Sequence, residues 1–309
     1  MSQGAQERPF RLVMLSASYE DRCRAIIGTL PDSYRADAVR VYFNHEFLVG
    51  AAKDKVASNL AELLNYGNAL SENVERVEGS WLDATRQLSA IRGGLSCIPD
   101  DRCVEAVVDA TTFTRESLIV TCGLLRHSGR DPRIKTTYSA ALRHGDWLSK
   151  HFRTVRNIMG YPGMQRPALR TTLVILSGFE PERATHLIDE HEPARVLLGY
   201  GNPPTVPAFL ERNKSEQTLI LARQNVSQFE FPATSIQACL DTLEAVLGPS
   251  LESENIILAP MNTKLSSLAC MVFADRHSQV QLTYCVPGEY NVSDYSTGAG
   301  LQYSEILPE

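Results

Sequence analysis

Two loops of this sequence carry side chains that could hold an anion. Their candidate ligand-binding residues are Asp109, Thr111, Thr112 and Thr114 in the first loop, and Asn262, Thr263 and Lys264 in the second. Each loop follows an apolar run and precedes an apolar segment typical of a helix. Hydroxyls, backbone N–H groups and a basic side chain at a helix start can bind phosphate or ribose oxygens. The same hydroxyls can cap the helix instead, and Thr114 is well placed to do so, so both interpretations stay open.

A second pair of loops offers a smaller set of groups. Its candidate ligand-binding residues are Ser16, Ser18 and Arg22 in one loop, and Ser177 and Arg183 in the other. Small hydroxyl residues between a strand and a helix can bind an anion with help from the helix dipole. Alternatively, these residues cap the helix, and each arginine pairs with the acid beside it. No glycine-rich GxGxxG or Walker A pattern occurs, which argues against a standard dinucleotide or P-loop site.

Residues 141–170 carry six basic side chains and one acid, in a chain whose net charge is −6. The apolar stripe Leu148, Phe152, Val155 and Met159 predicts an amphipathic helix, with Asp146 as its N-cap and Gly160 at its end. We refer to residues 141–170 as the basic connector. Its residues Arg143, Lys150, Arg153 and Arg156 could contact a phosphate, a nucleic-acid backbone or an acidic protein. A solvated basic face without a partner is the alternative.

Signatures of catalysis are few. The histidines form no HExxH or HxH pattern, no serine lies in GxSxG, and the seven cysteines show no CxxC or zinc spacing. We therefore predict no catalytic set, no metal and no cofactor. A nucleotide or nucleic-acid hydrolase using Asp21, Asp109 and Glu182 remains an alternative. The trio Asn44-His45-Glu46 at a strand end is a weaker catalytic candidate.

The elements that must position these loops occur twice. Leu12-Val13-Met14-Leu15-Ser16 matches Leu173-Val174-Ile175-Leu176-Ser177 at a spacing of 161 residues (173 − 12). Asp109–Thr114 falls opposite Ala259–Lys264 at a spacing of 150 (259 − 109), and Arg126-His127-Ser128 recurs as Arg276-His277-Ser278 at the same spacing. Matches in constant order with shrinking spacing indicate an internal duplication with shorter loops in the second copy.

Each copy alternates apolar strands with helices. Strands that are apolar throughout, rather than at every second residue, indicate a parallel sheet covered on both faces. We predict an α/β protein of two tandem Rossmann-like units, each a mainly parallel sheet with helices on both faces. The units are assigned to residues 1–140 and 171–290, joined by the basic connector and followed by an irregular tail, 291–309. Ligands of such sheets lie beyond the carboxyl ends of the strands.

A strand followed by an Asn/Asp-x-Thr-rich turn, with Thr-Lys at a helix start, resembles the CRISPR-associated Rossmann-fold (CARF) sensors. The resemblance rests on Asp109–Thr114, on Asn262-Thr263-Lys264 and on the loops at Ser16 and Ser177. It implies a pocket between paired units that binds a cyclic or linear oligonucleotide. The family's usual double glycine before Thr-Lys is absent here. The two copies in one chain would correspond to the family's dimer.

These observations favour a non-catalytic sensor or regulatory protein that binds a nucleotide-like anion between its units; the resemblance alone suggests antiviral defence in bacteria. A ligand-free interaction subunit that contacts protein or nucleic acid through the basic connector is the alternative. The net charge of −6 argues against a protein that coats nucleic acid. No apolar run reaches the ~20 residues of a membrane span, and residues 1–11 lack an apolar leader, so we expect a cytoplasmic protein without a membrane partner.

Overall fold

A computed structural model describes residues 8–309 of the chain. Residues 1–7, part of the segment in which the sequence predicts no leader, lie outside the described residues. Within the described part, no helix is long and apolar enough to cross a membrane.

The first unit is a sheet of five parallel strands with a helix-rich crossover between most of them. The strands are β1 (Phe10–Ser16), β2 (Ala38–Asn44), β3 (Val74–Gly79), β4 (Cys103–Asp109) and β5 (Arg130–His144), and the helices are α1 (Lys53–Leu70), α2 (Ala84–Leu95) and α3 (Arg115–Leu125). The parallel strands lie in the order β3-β2-β1-β4-β5. The chain reverses direction across the sheet between β1 and β4, which is where Rossmann-like sheets bind ligands.

The second unit repeats this order after a short intervening segment that contains β6 (Ser149–Lys150) and β7 (Thr154–Asn157). Its strands are β8 (Arg170–Leu176), β9 (Arg195–Gly201), β10 (Val226–Phe231), β11 (Glu254–Pro260) and β12 (Gln281–Val286), and its helices are α4 (Pro181–His191), α5 (Ala208–Glu216), α6 (Thr218–Leu221), α7 (Ile236–Leu247) and α8 (Lys264–Arg276). The parallel order is β10-β9-β8-β11-β12. The predicted fold class, two tandem Rossmann-like units, is confirmed.

The burial of the first strand of each unit explains the layers. Leu12 and Met14 point into a core shared by both units, whereas Val13 and Leu15 point into a separate core under α1. Val174 and Leu176 reach the same shared core from the second unit, and the alternate residues pack under α4. Helices α2, α3, α7 and α8 therefore lie between the two sheets, and the remaining helices cover the outer faces.

The segment that follows each unit crosses to the other unit. Strand β7 pairs antiparallel with β12, and the tail forms β14 (Ser296–Ile306), which pairs antiparallel with β5. Between them β6 pairs with β13 (Glu289–Tyr290). The two units thus exchange edge strands reciprocally, and each six-stranded sheet needs both halves of the chain.

This exchange corrects two predictions. The helix predicted in the basic connector is absent: Val155 pairs with Cys285 in a sheet, and Asp146 is exposed rather than capping a helix. The tail predicted to be irregular is largely strand. In both cases an open sheet edge offers backbone hydrogen bonds that outweigh a weak local pattern.

The helix predicted after β1 is also shorter than expected. Only a 3-10 helix, Asp21–Arg24, forms there, whereas the second unit has the three-turn helix α4. Gly28, with a φ of +79°, and the following Pro31 keep the first segment from continuing as a helix.

Candidate functional site

The carboxyl ends of both sheets meet at one cleft, which we call the inter-unit cleft. Its lining comes mainly from the second unit, with Arg22, Arg115, Tyr138 and His144 from the first unit and Tyr295 from the tail. Helices α3 and α8, which pack against each other, both begin at its floor. The enclosed volume is about 70 Å³. That is room for a few water molecules or one phosphate-sized group.

The two threonines at the helix starts are N-caps. Thr114 Oγ1 accepts a hydrogen bond from the Ser117 N–H at 3.2 Å, and Thr263 Oγ1 accepts one from the Ser266 N–H at 3.2 Å. The capping residues are 149 positions apart (263 − 114), not 150. Thr114 therefore corresponds to Thr263, and Arg115 to Lys264. The alignment at 150 placed Lys264 opposite Thr114, so it did not identify Arg115.

Lys264 is the unsatisfied cation of the cleft. Within residues 8–309 its ammonium group makes no hydrogen bond and no ion pair, although the side chain is half-buried. Burial and, after it, the charge of Arg115 lower the pKa of Lys264 to about 7, although Glu20 and Glu180 act in the opposite direction. The protonated form therefore has no acid in direct contact among the described residues, and a bound anion would supply that contact.

Arg115 belongs to the first unit, but its side chain contacts the second unit. Its Nε donates to the Asn262 carbonyl at 2.9 Å, and its Nη1 lies 3.7 Å from a carboxylate oxygen of Glu180. These contacts fix the guanidinium beside Lys264 at the cleft. The side chain closes the interface between the units while it adds positive charge to the site.

Two buried acid–arginine pairs flank the cleft. Arg22 lies 2.5 Å from Glu20 and donates to the Ser139 carbonyl at 2.6 Å. Arg183 lies 3.2 Å from Glu180 and donates to the Cys285 carbonyl at 2.8 Å. Burial opposes ionisation of both carboxyls, but the neighbouring arginines hold the pKa of Glu20 and Glu180 below the usual value. The predicted arginines are thus paired, with acids two and three residues earlier rather than with adjacent Asp21 and Glu182.

One wall of the cleft is aromatic. The rings of Phe179 and Phe209 have centroids 5.2 Å apart, and the His144 ring lies 5.2 Å from Phe209 and 6.0 Å from Tyr295. Burial and the charge of Arg22 lower the pKa of His144 to about 4, so this imidazole is neutral at pH 7. Such a wall can pack against a flat ring. Neither Phe179 nor Tyr295 was identified from the sequence.

Of the other predicted ligand-binding residues, most use their polar groups internally. Thr112 Oγ1 donates to the Ser16 carbonyl at 2.7 Å, and Ser177 Oγ donates to the Gly199 carbonyl at 2.7 Å. Ser18 Oγ accepts from the Glu20 N–H at 3.4 Å. Asn262 lines the cleft, yet its amide oxygen accepts from the Thr263 N–H. Ser16 and Ser177 do not reach the cleft lining.

Asp109 belongs to a different cavity. Its Oδ1 accepts from Thr111 Oγ1 at 2.5 Å, whereas Oδ2 has no partner among the described residues. Burial raises the pKa of Asp109 to about 6. The side chain lines a space of about 270 Å³ next to Lys135 and Tyr303, away from Lys264. Asp21 and Glu182 are exposed, so the three acids considered for a hydrolase do not line one cavity.

The other catalytic candidate is engaged in local contacts. His45 Nδ1 lies 3.1 Å from the Gly79 carbonyl oxygen, and Glu46 accepts a hydrogen bond from Ser80. Within residues 8–309 no group of three or more His, Cys, Asp or Glu side chains could hold a metal ion.

The cations of the basic connector differ in the contacts that they make. Arg143 pairs with Asp294 at 2.6 Å, and Lys150 lies over the Trp147 ring at 4.5 Å. Arg156 is an internal tie, since it pairs with the buried Glu116 at 2.6 Å and donates to the carbonyls of Trp81 and Leu82. Arg153 alone of these four is exposed without such a contact among the described residues.

Comparison with known proteins adds distant structural similarity and no family. No protein-family model matches the chain, and no curated protein matches it significantly. The solved N-domain of a bacterial malonyl-CoA reductase with NADP matches with 9% identity and a TM-score of 0.24, over 87% of this chain and 79% of that one. A similarity of this size identifies no shared site.

Proposed function

We propose that this protein binds a nucleotide-like anion in the inter-unit cleft and acts as a non-catalytic sensor or regulatory module. The observation that carries the proposal is Lys264, a half-buried cation without a partner in residues 8–309, at the carboxyl ends of two Rossmann-like sheets. An anion there would gain the ammonium group, the first turn of α8 and the nearby charge of Arg115.

The aromatic wall supports a ligand that also carries a ring. Phe179, Phe209 and the neutral His144 lie in the same cleft as Lys264. Aromatic side chains stack on nucleobases of any sequence. A phosphate with an attached base matches both features, whereas a bare inorganic anion would use only the cation.

The regulatory part of the proposal comes from the architecture. The cleft joins both units, whose edge strands are exchanged, so a ligand that contacts both can bias how they pack. The CARF resemblance supports the same role and is the sole support for antiviral defence.

Thermal stability against a panel of mono-, di- and cyclic oligonucleotides tests this proposal. A ligand present at about 100 times its dissociation constant adds about 2.7 kcal/mol and raises the melting temperature by several degrees. Lys264→Ala should weaken binding by about tenfold or more. Lys53→Ala, which removes the same charge from the exposed start of α1, is the matched control. A panel without any stabilising compound contradicts the proposal.

A further inference from the structure

The two units differ at the carboxyl end of their second strand. In the second unit β9 ends in Gly201, which lines the inter-unit cleft. A Cβ atom at Gly201 would lie 2.7 Å from the Ala233 Cβ and 3.1 Å from the Asn262 Oδ1. The absence of a side chain lets the backbone of β9 approach these residues and leaves the cleft open.

In the first unit the corresponding region is filled. The ring of Tyr42, near the end of β2, is fully buried, stacks on Phe113 at 5.2 Å and crowds the backbone of Gly79. Phe47 and Trp81, which belong to the same core as Tyr42, have ring centroids 4.5 Å apart. The space that remains next to Phe47 and Phe113 is about 20 Å³, which is room for roughly one water molecule.

The basic side chains at the two helix starts also differ between the units. Lys264, at the start of α8, has no partner among the described residues, whereas Arg115, at the start of α3, is bound to Asn262 and lies beside Glu180. One helix start therefore offers an available cation, and its counterpart does not. Of these two helix starts, the one in the second unit is therefore the one that can bind an anion.

We infer that the ligand is a single asymmetric molecule of the mononucleotide class, with its phosphate at Lys264 and its base on the wall of Phe179 and Phe209, bound once per chain. This inference rests on the proposed function and narrows it. The enclosed 70 Å³ admits one phosphate-sized group, and the rest of the ligand follows the aromatic wall toward the open side. A two-fold symmetric cyclic oligonucleotide would need a second binding site in the first unit. The side chains of Tyr42, Phe47 and Trp81 fill that space.

Isothermal titration with the four 5′-mononucleotides, inorganic phosphate and symmetric cyclic di- and tetranucleotides tests the inference on the full chain. The expected result is one mononucleotide per chain, bound more tightly than phosphate or any cyclic compound. Phe209→Leu should weaken the mononucleotide about tenfold or more through lost stacking while leaving phosphate binding unchanged.

Gly201→Ala should abolish mononucleotide binding, because the new Cβ enters the space between Ala233 and Asn262. Gly93→Ala is its matched control, since a Cβ at Gly93 in α2 meets no atom within 4 Å. Melting curves establish whether each variant is folded. If Gly201→Ala does not fold, Phe209→Leu still tests the inference independently. Tighter binding of a symmetric cyclic compound overturns the inference but leaves the proposed function standing. Absence of binding by every compound overturns both.

Discussion

The loops after β4 and β11 occupy the same position in the two units but use their polar side chains differently. In the first loop Asp109, Thr111 and Thr112 bind one another or nearby strands, and a buried carboxylate results. The second loop is shorter and is followed by Lys264, whose ammonium group lies at the cleft without an ion pair in the described part of the chain. Residues of types suited to an anion site thus form an internal hydrogen-bond network in the first copy. In the second copy, residues at the same position line the cleft.

The acid–arginine pairs should be where the two units behave alike. Arg22→Ala and Arg183→Ala each leave a buried glutamate without its arginine partner, which should lower the unfolding free energy by about 3–5 kcal/mol. Denaturant unfolding measures this loss. Arg24→Ala, whose partners Asp21 and Glu62 are exposed, should cost about 1 kcal/mol or less. A small loss for Arg22→Ala alone would show that the first pair is not structural.

Asp109, in the first loop, should make the stability of the protein fall as the pH rises. Its pKa rises from 3.8 to about 6 on folding, so the protonated form is favoured in the native state. That contribution is complete below about pH 4 and is lost as the pH rises through about 6, a difference of about 3 kcal/mol. Asp109→Asn should remove this difference in denaturant unfolding at pH 4 and pH 7. Asp21→Asn, at an exposed acid, should leave it in place.

Lys264 should have the opposite dependence. Its pKa falls from 10.5 to about 7, so the native state favours the neutral amine, and stability is lost as the pH falls from about 10.5 to 7. Without ligand, Lys264→Met should therefore stabilise the protein at pH 6 by about 1–2 kcal/mol, a value reduced because the side chain is not fully buried. The gain should shrink toward pH 10. Arg115→Met should show no gain, because Arg115 already has partners.

The sequence predicted the fold because the signals that specify it are local. Runs such as Leu12–Leu15 and Leu173–Leu176 are apolar at every position, and burial on both sides of a parallel sheet requires that pattern. The edge strands β7 and β14 were not predicted, because their partners lie 126 and 152 residues away in the sequence (283 − 157 and 296 − 144) and their own patterns are weak.

The site was predicted only in part, for a different reason. Four of the predicted residues line the cleft: Arg22, Asn262, Thr263 and Lys264. Arg115, Phe179 and Tyr295 also reach it, from three separate segments, and were not predicted. The hydroxyls at Thr112 and Ser177 were suggestive by type, yet the nearest backbone carbonyls bind them. Residue type states what a group can bind, whereas only the packing determines whether the protein has already bound it.

Thr263 provides the smallest and sharpest test of that distinction. Thr114→Ala and Thr263→Ala should each cost about 1 kcal/mol of unfolding free energy, because both remove an N-cap to a serine three residues later. Thr114→Ser and Thr263→Ser should each keep the stability that the alanine variants lose. Thr263 Oγ1 also donates to the Ala233 carbonyl, so it has no hydrogen left for a ligand. Ligand affinity should therefore change far less in Thr263→Ser than in Lys264→Ala. If Thr263→Ala left stability intact but abolished binding, this hydroxyl would be a ligand group after all, and the two loops would differ more than their caps indicate.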